Sequence, residues 1–166
     1  MELPYFKVKR LNSEVKLPSK REEDAGFDLY GFIEEEYLIL KPGEIYLFPT
    51  KLSIEIPKNW VLNILERGST GTKGISTRCG VIDSGYRGEI FIPINNTSNK
   101  NILFYTSNSD PNKIISDLSL KEIISYPLSK AIAQGLLLYC PHVEIIEEDN
   151  LNLSLRGEGK LGSSNK

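Results

Sequence analysis

The chain has little sulfur and almost no imidazole: two cysteines, Cys79 and Cys140, and one histidine, His142, among 166 residues. Two cysteines without C-x-x-C spacing exclude a disulfide framework, and a lone histidine leaves little from which to build a zinc cage. His142 reads as a strand-edge residue rather than a ligand. Long apolar runs are also missing. No stretch approaches the roughly 20 residues that span a bilayer, and Met1-Glu2-Leu3-Pro4-Tyr5-Phe6-Lys7 has no apolar core of signal-peptide length. A cytoplasmic protein with no membrane association is expected. Nor is positive charge in excess: 20 basic against 22 acidic residues leave a net charge of −2. A protein that coats nucleic acid is normally basic, so direct nucleic-acid binding is not expected. A small anionic ligand held by a local basic cluster fits this balance.

What is present is ordinary for a globular chain, 40% hydrophobic and 25% charged, at a length that fits one domain over residues 1–166. The apolar residues fall in short, period-two runs. Leu52-Ser53-Ile54-Glu55-Ile56 alternates as a half-buried strand does, and Trp60 to Leu65, Ile90 to Ile94 and Ile102 to Phe104 are similar. Between them stand turn signals at Lys41-Pro42-Gly43-Glu44, Pro57-Lys58-Asn59, Asp83-Ser84-Gly85 and Asn95-Asn96. Many short strands at close spacing predict an all-β barrel or sandwich. Pro93 cannot donate to a ladder, which predicts an edge or a bulge there. Residues 105–125 break the pattern: a polar turn region precedes Ile114 to Ile124, which could form a short helix on a surface excursion. The end, Arg156 to Lys166, has no apolar periodicity and is expected to be mobile without ligand.

Three runs could carry chemistry. Gly157-Glu158-Gly159-Lys160-Leu161-Gly162 is formally G-x-G-x-x-G, but only four residues follow, so no helix can receive a pyrophosphate. With Arg156 and two following hydroxyls it still suits phosphate, although taken alone a plain disordered end is the simpler reading. Glu66-Arg67-Gly68-Ser69-Thr70-Gly71-Thr72-Lys73-Gly74 has the same ingredients after a strong strand, and also fits an ordinary connection. In Gly80-Val81-Ile82-Asp83-Ser84-Gly85-Tyr86-Arg87-Gly88, Asp83 can orient and deprotonate a water while Tyr86 offers a flat face to a sugar or base. Asp83 could equally cap its turn through its side chain.

Taken together and in order, these runs resemble the homotrimeric-type dUTP diphosphatase (dUTPase) family. Ala25-Gly26-Phe27-Asp28-Leu29 resembles the first family motif, A-G-[YF]-D-L, and Arg67-Gly68-Ser69-Thr70 the second, P-R-S-G or P-R-S-S. Gly80 to Gly88 is similar to G-V-I-D-x-x-Y-R-G, the most specific of the five. Ala133-Gln134 resembles the end of G-D-R-x-A-Q, and the Arg156–Ser164 tail resembles R-G-x-G-G-F-G-S-[TS]. The resemblance implies a jelly-roll-like β-barrel subunit, a homotrimer with shared active sites, and hydrolysis of Mg-dUTP to dUMP and pyrophosphate. That reaction would limit uracil incorporation into DNA and supply dUMP for thymidylate synthesis. It implies Asp83 as the base for the attacking water, Tyr86 against the deoxyribose, and a uracil-reading hairpin around Thr77, Val81, Ile82 and Phe91. Arg67, Ser69 and Gln134 would hold phosphates, with Gly68 and Thr70 in the same loop. Arg156, Gly162, Ser163 and Ser164 would close over them. Asp28 would act on Mg²⁺ through water, the triphosphate holding most of the metal.

The departures from the family pattern are local. Gly68 stands where a phosphate-contacting Ser is usual, Leu161 replaces the tail aromatic, Lys160 replaces a Gly, and Ser129-Lys130-Ala131 replaces G-D-R. The 105–125 segment is longer than the usual connection. Two alternatives share the fold: a dCTP deaminase or bifunctional relative, and a regulatory protein that binds partner proteins. The deaminase pattern needs a Trp and a catalytic Glu where this chain has Tyr86 and Pro93.

Overall fold

The apolar alternation becomes short strands in a computed structural model that describes residues 5–158. In chain order they are β1 (Lys7–Arg10), β2 (Phe27–Leu29), β3 (Tyr37–Leu40), β4 (Ile45–Pro49), β5 (Leu52–Glu55) and β6 (Trp60–Leu65). A single turn of helix, α1 (Gly68–Gly71), leads to β7 (Ile75–Thr77), β8 (Val81–Asp83), β9 (Phe91–Asn96) and β10 (Asn101–Tyr105). Then come α2 (Pro111–Asp117), β11 (Ile123–Pro127) and β12 (Ala133–Tyr139). The strands assemble as β1-β5, β11-β10-β3, β2-β12-β6-β8 and β4-β9-β7. This is the predominantly β, jelly-roll-type architecture that the short-strand pattern and the motifs predicted.

The sheets close on one hydrophobic cluster. In β6 the alternation is direct: Leu62 and Ile64 are buried, whereas Val61, Asn63 and Leu65 are only partly so. Tyr46, Phe48, Phe104 and Tyr126 stack edge to face in a row, with successive ring centroids 4.7, 4.9 and 5.9 Å apart. Phe48 and Phe104 are fully buried, and each contributes about 2–3 kcal/mol of apolar transfer. That row runs from β4 through the core to β11.

Four local expectations change. Pro93 lies in β9, the middle strand of its sheet, rather than at an edge. It is tolerated because its carbonyl, which accepts from Arg78 N–H at 2.9 Å, and therefore its ring nitrogen, face the point where β7 has ended at Thr77. Asn95 and Asn96 extend β9 instead of forming a turn. Asn96 is buried, and its amide donates to the carbonyls of Leu40 and Lys100, both at 2.8 Å. The expected 114–124 helix is shorter and earlier. Asp110 caps α2 by accepting from Asn112 N–H at 2.9 Å, and the helix stops at Leu118. Ser119 and Glu122, both at φ 49°, then turn the chain so that Ile123 and Ile124 run parallel to β10. His142 is not at a strand edge. It follows the end of β12 in an exposed stretch without regular structure. Of the expected tail only Arg156 to Glu158 is described. Lys160, Leu161, Gly162, Ser163 and Ser164 lie outside the described residues.

Candidate active site

The register of one sheet brings together residues expected at phosphate or metal. In β2-β12-β6, Asp28 stands opposite Gln134, and Gln134 opposite Leu65, so three strands present one row across the sheet end. Two residues beyond Leu65, Arg67 enters the α1 turn in an extended conformation. Its Nε lies 3.0 Å from an Asp28 carboxylate oxygen, and its Nη1 donates to the Ala131 carbonyl at 3.0 Å and to Ser69 Oγ at 3.3 Å. Gln134 donates through Nε2 to the Glu66 carbonyl at 2.8 Å, which ties the turn to β12.

Asp28, Arg67, Gly68, Ser69 and Gln134 line a single cleft of about 840 Å³. Arg67, Ser69 and Gln134 are expected at phosphate, Asp28 at the metal, and Gly68 in the same loop. The sequence reading missed Lys20, Arg21 and Asp24, which line the same cleft. Arg21 is paired to Asp24 at 3.0 Å, and this hydrogen-bonded guanidinium holds the Asp24 carboxyl below the usual carboxylate range. With Arg67, Lys20 and Arg21 against Asp24 and Asp28, the cleft keeps one positive charge in excess, as an anion site requires. The basic pair just ahead of Ala25-Gly26 was the available signal. Space beside Gly68 is open, with nothing within 4 Å of where a Cβ would stand.

A second, smaller recess of about 260 Å³ collects Val81, Ile82, Asp83, Tyr86 and Phe91. The turn Asp83 to Tyr86 is closed by Tyr86 N–H donating to the Asp83 carbonyl at 3.0 Å. Arg87 braces it on the carbonyls of Ser84 (2.6 Å) and Tyr86 (2.9 Å). The Tyr86 hydroxyl donates to the Glu89 carbonyl at 2.8 Å, which lays the ring across Gly88: a Cβ there would meet the ring at 2.6 Å. Asp83, Val81 and Phe91 remain exposed. Glu89 also lines this recess and was missed. Its carboxylate is occupied by Lys51 N–H at 2.9 Å. Beside the hairpin, burial pushes the Cys79 thiol above its ordinary pKa.

The two recesses do not meet within the chain. Asp83 pairs with Val61 at one end of β6, and Arg67 follows the other end. Six residues of extended chain separate those points, about 20 Å. Three further expected residues stand apart from both recesses. Thr70 is buried and donates to the Arg67 carbonyl at 2.9 Å, a contact internal to the loop. Thr77 lies on β7, where its N–H donates to the Glu66 carboxylate at 3.3 Å and its Oγ1 has no hydrogen-bond partner among the described residues. Arg156 is exposed on the arm that follows β12.

On metals, no group of three or more His, Cys, Asp or Glu side chains converges among the described residues. The donors at the larger cleft are the carboxylates of Asp24 and Asp28. These are hard oxygen ligands that suit Mg²⁺ held partly by a ligand's own phosphates. No helix among the described residues is long and apolar enough to cross a membrane.

With this geometry in place, the sequence profile of the dUTPase family matches residues 13–108. The chain is 34% identical over 165 residues to the deoxyuridine 5'-triphosphate nucleotidohydrolase of Nautilia profundicola, covering 97% of this chain and 99% of that one. It is 31% identical to the enzyme of the same name from Clostridium tetani, covering 97% of each. A dUTPase variant of Staphylococcus bacteriophage 80alpha, solved with dUpNHpp, superposes with a TM-score of 0.74 at 23% identity, over 96% of this chain and 98% of that one. A mutant dUTPase of phage phi11 of S. aureus, whose structure shows the coordination of a structural Mg(II) ion, superposes with a TM-score of 0.67 at 19% identity, over 88% of this chain and 97% of that one.

Proposed function

The chain belongs to the dUTPase family and is a dUTP diphosphatase, and from that premise we propose how its two recesses divide the reaction. The observation that carries the proposal is their separate chemistry: a cationic cleft around Arg67 and a hairpin recess without cations that presents one exposed carboxylate, Asp83, beside an aromatic face. Asp83 takes a proton from a water, whose oxygen forms a bond to the α-phosphorus. The bond from that phosphorus to the bridging oxygen of the β-phosphate breaks, and dUMP and pyrophosphate result. The Tyr86 ring packs on the deoxyribose and leaves no room for a 2′-hydroxyl. Backbone groups of the Val81–Ile82 strand and of Phe91 on β9 hydrogen-bond the base, and Thr77 lies outside that recess.

Arg67 and Ser69, on a loop shaped by Gly68 and Thr70, hold the phosphates together with Gln134 of β12. Arg156, Gly162, Ser163 and Ser164 complete the enclosure. Ordering these groups around the reacting phosphorus supplies most of the rate, as positioning and charge stabilisation do in phosphoryl transfer. Asp28 would hold, through water, an Mg²⁺ carried by the triphosphate, and the metal would supply neutralisation of phosphate charge. The deaminase alternative needs a carboxylate on the exit strand, where Pro93 offers none.

Two features support a homotrimer with shared sites. The first is the distance of about 20 Å between Asp83 and Arg67 along β6, which a neighbouring copy would bridge. The second is apolar surface that nothing among the described residues covers. Val143, Ile145, Ile146, Leu151, Leu153 and Leu155 are all exposed on the arm after β12, and Ile45 and Leu47 are exposed on β4. Exposed apolar area of this extent marks a protein–protein contact. The test is pyrophosphate release with Mg²⁺ from dUTP, dCTP, dTTP and UTP. Turnover of dUTP alone is expected, lowered about 10²–10⁴-fold by Asp83→Asn. A wild-type rate in that variant would remove Asp83 from the mechanism.

A further inference from the structure

We propose that Tyr126 is a positioning residue for Arg67: its hydroxyl fixes the Ala131 carbonyl on which the Arg67 guanidinium is seated. Strand β11, which closes the excursion after β10, thereby sets the geometry of phosphate binding. The inference rests on the reading of Arg67 as a phosphate ligand.

Arg67 has three partners at the cleft, and they differ in kind. Asp28 and Ser69 are side chains on the wall of the cleft, free to change partners when phosphate or Mg²⁺ arrives. The Ala131 carbonyl is backbone and stays. A carbonyl oxygen has two lone pairs. Tyr126 takes one at 2.7 Å and Arg67 takes the other at 3.0 Å. This arrangement matters more here because residue 131 is an alanine and brings no cation of its own to the cleft.

Tyr126 is built to hold that oxygen still. It is 3% exposed, and its ring stands edge-on to Phe104, itself locked against Phe48. The Tyr126 contact spans residues 126–131. The backbone of this segment is tied at both ends, by Leu128 N–H to the Tyr105 carbonyl (2.8 Å) and Ile132 N–H to the Leu29 carbonyl (2.9 Å). The hydroxyl adds nothing to the apolar packing that a phenylalanine ring would not supply. Its burial is compensated by the bond to Ala131 and by the neighbouring Arg67 guanidinium. Burial, opposed by the nearby Arg67 charge, leaves the phenol pKa raised, so the group is a donor at neutral pH.

Tyr126→Phe keeps the ring and removes only the hydroxyl. With dUTP, KM is expected to rise about fivefold, the factor carried by one lost neutral hydrogen bond, at unchanged kcat. The dissociation constant of the imido analogue of dUTP should rise in parallel. In an Arg67→Ala background the same change should leave that constant unaltered, because the residue through which Tyr126 acts is gone. Ile94→Val, which trims the core within β9, serves as a stability control and should lower the melting temperature without raising KM. An unchanged KM in Tyr126→Phe overturns the proposal, as does an equal weakening in both Arg67 backgrounds. If the wild-type protein does not turn over dUTP, the parent reading fails instead, and the analogue-binding cycle still decides the coupling between Tyr126 and Arg67.

Discussion

Mixing two inactive variants is the most demanding test of the site. Within one chain Asp83 is opposite Val61 and Arg67 follows Leu65, a separation of about 20 Å along an extended strand. If catalysis joins Asp83 of one copy to Arg67 of another, then Asp83→Asn and Arg67→Ala damage different halves of each site. In an equimolar random assembly, a site works when the copy lending Asp83 carries the arginine defect and the copy lending Arg67 carries the aspartate defect. Each condition is met half the time, so about one quarter of wild-type activity should return in any closed ring. Each variant alone should be depressed by two orders of magnitude or more, as losses of a general base or a charge-assisted phosphate contact are. The assay is pyrophosphate release after co-refolding the two variants, with size-exclusion light scattering to establish mixed assembly. Activity that stays at the level of the separate variants, in assemblies shown to be mixed, would refute the shared site.

Other perturbations probe single contacts. Gly88→Ala places a methyl group against the Tyr86 ring, within 2.6 Å of Cζ, so the ring must move. A loss of the preference for dUTP over UTP is expected, read as the ratio of their kcat/KM values, with only modest loss of stability. Gly68→Ser meets nothing within 4 Å and adds a hydroxyl at the rim of the cationic cleft. The KM for dUTP should fall by about threefold to tenfold, the worth of one added hydrogen bond to a charged group at a partly wet site. Asp110→Ala removes the cap of α2, which accepts from Asn112 and Lys113. This should cost about 1 kcal/mol in a denaturant titration while KM stays unchanged, because α2 lies outside both recesses.

Much of this protein was determined locally. The strand at Trp60 to Leu65 followed from period-two alternation, because a half-buried pleat sorts side chains by face; β5 formed where its alternation predicted a strand, but Ser53 is buried there with Leu52 and Ile54 instead of facing outward. The hairpin around Asp83 and the loop after Arg67 were legible for the same reason: glycines and turn residues act within a few positions of themselves. Contacts between distant segments were not legible. Pro93 could sit in a central strand because β7 ends beside it, and the second half of the expected helix became β11 because β10 offered it a parallel edge. Lys20 and Arg21 joined the cleft because β2 lies beside β12. Tyr126 reached the Ala131 carbonyl because Phe104 holds its ring. Backbone preference and periodicity are written in neighbouring residues, whereas strand neighbours, the row formed by Asp28, Gln134 and Leu65, and the seat of Arg67 exist only once the sheets have packed on a common core.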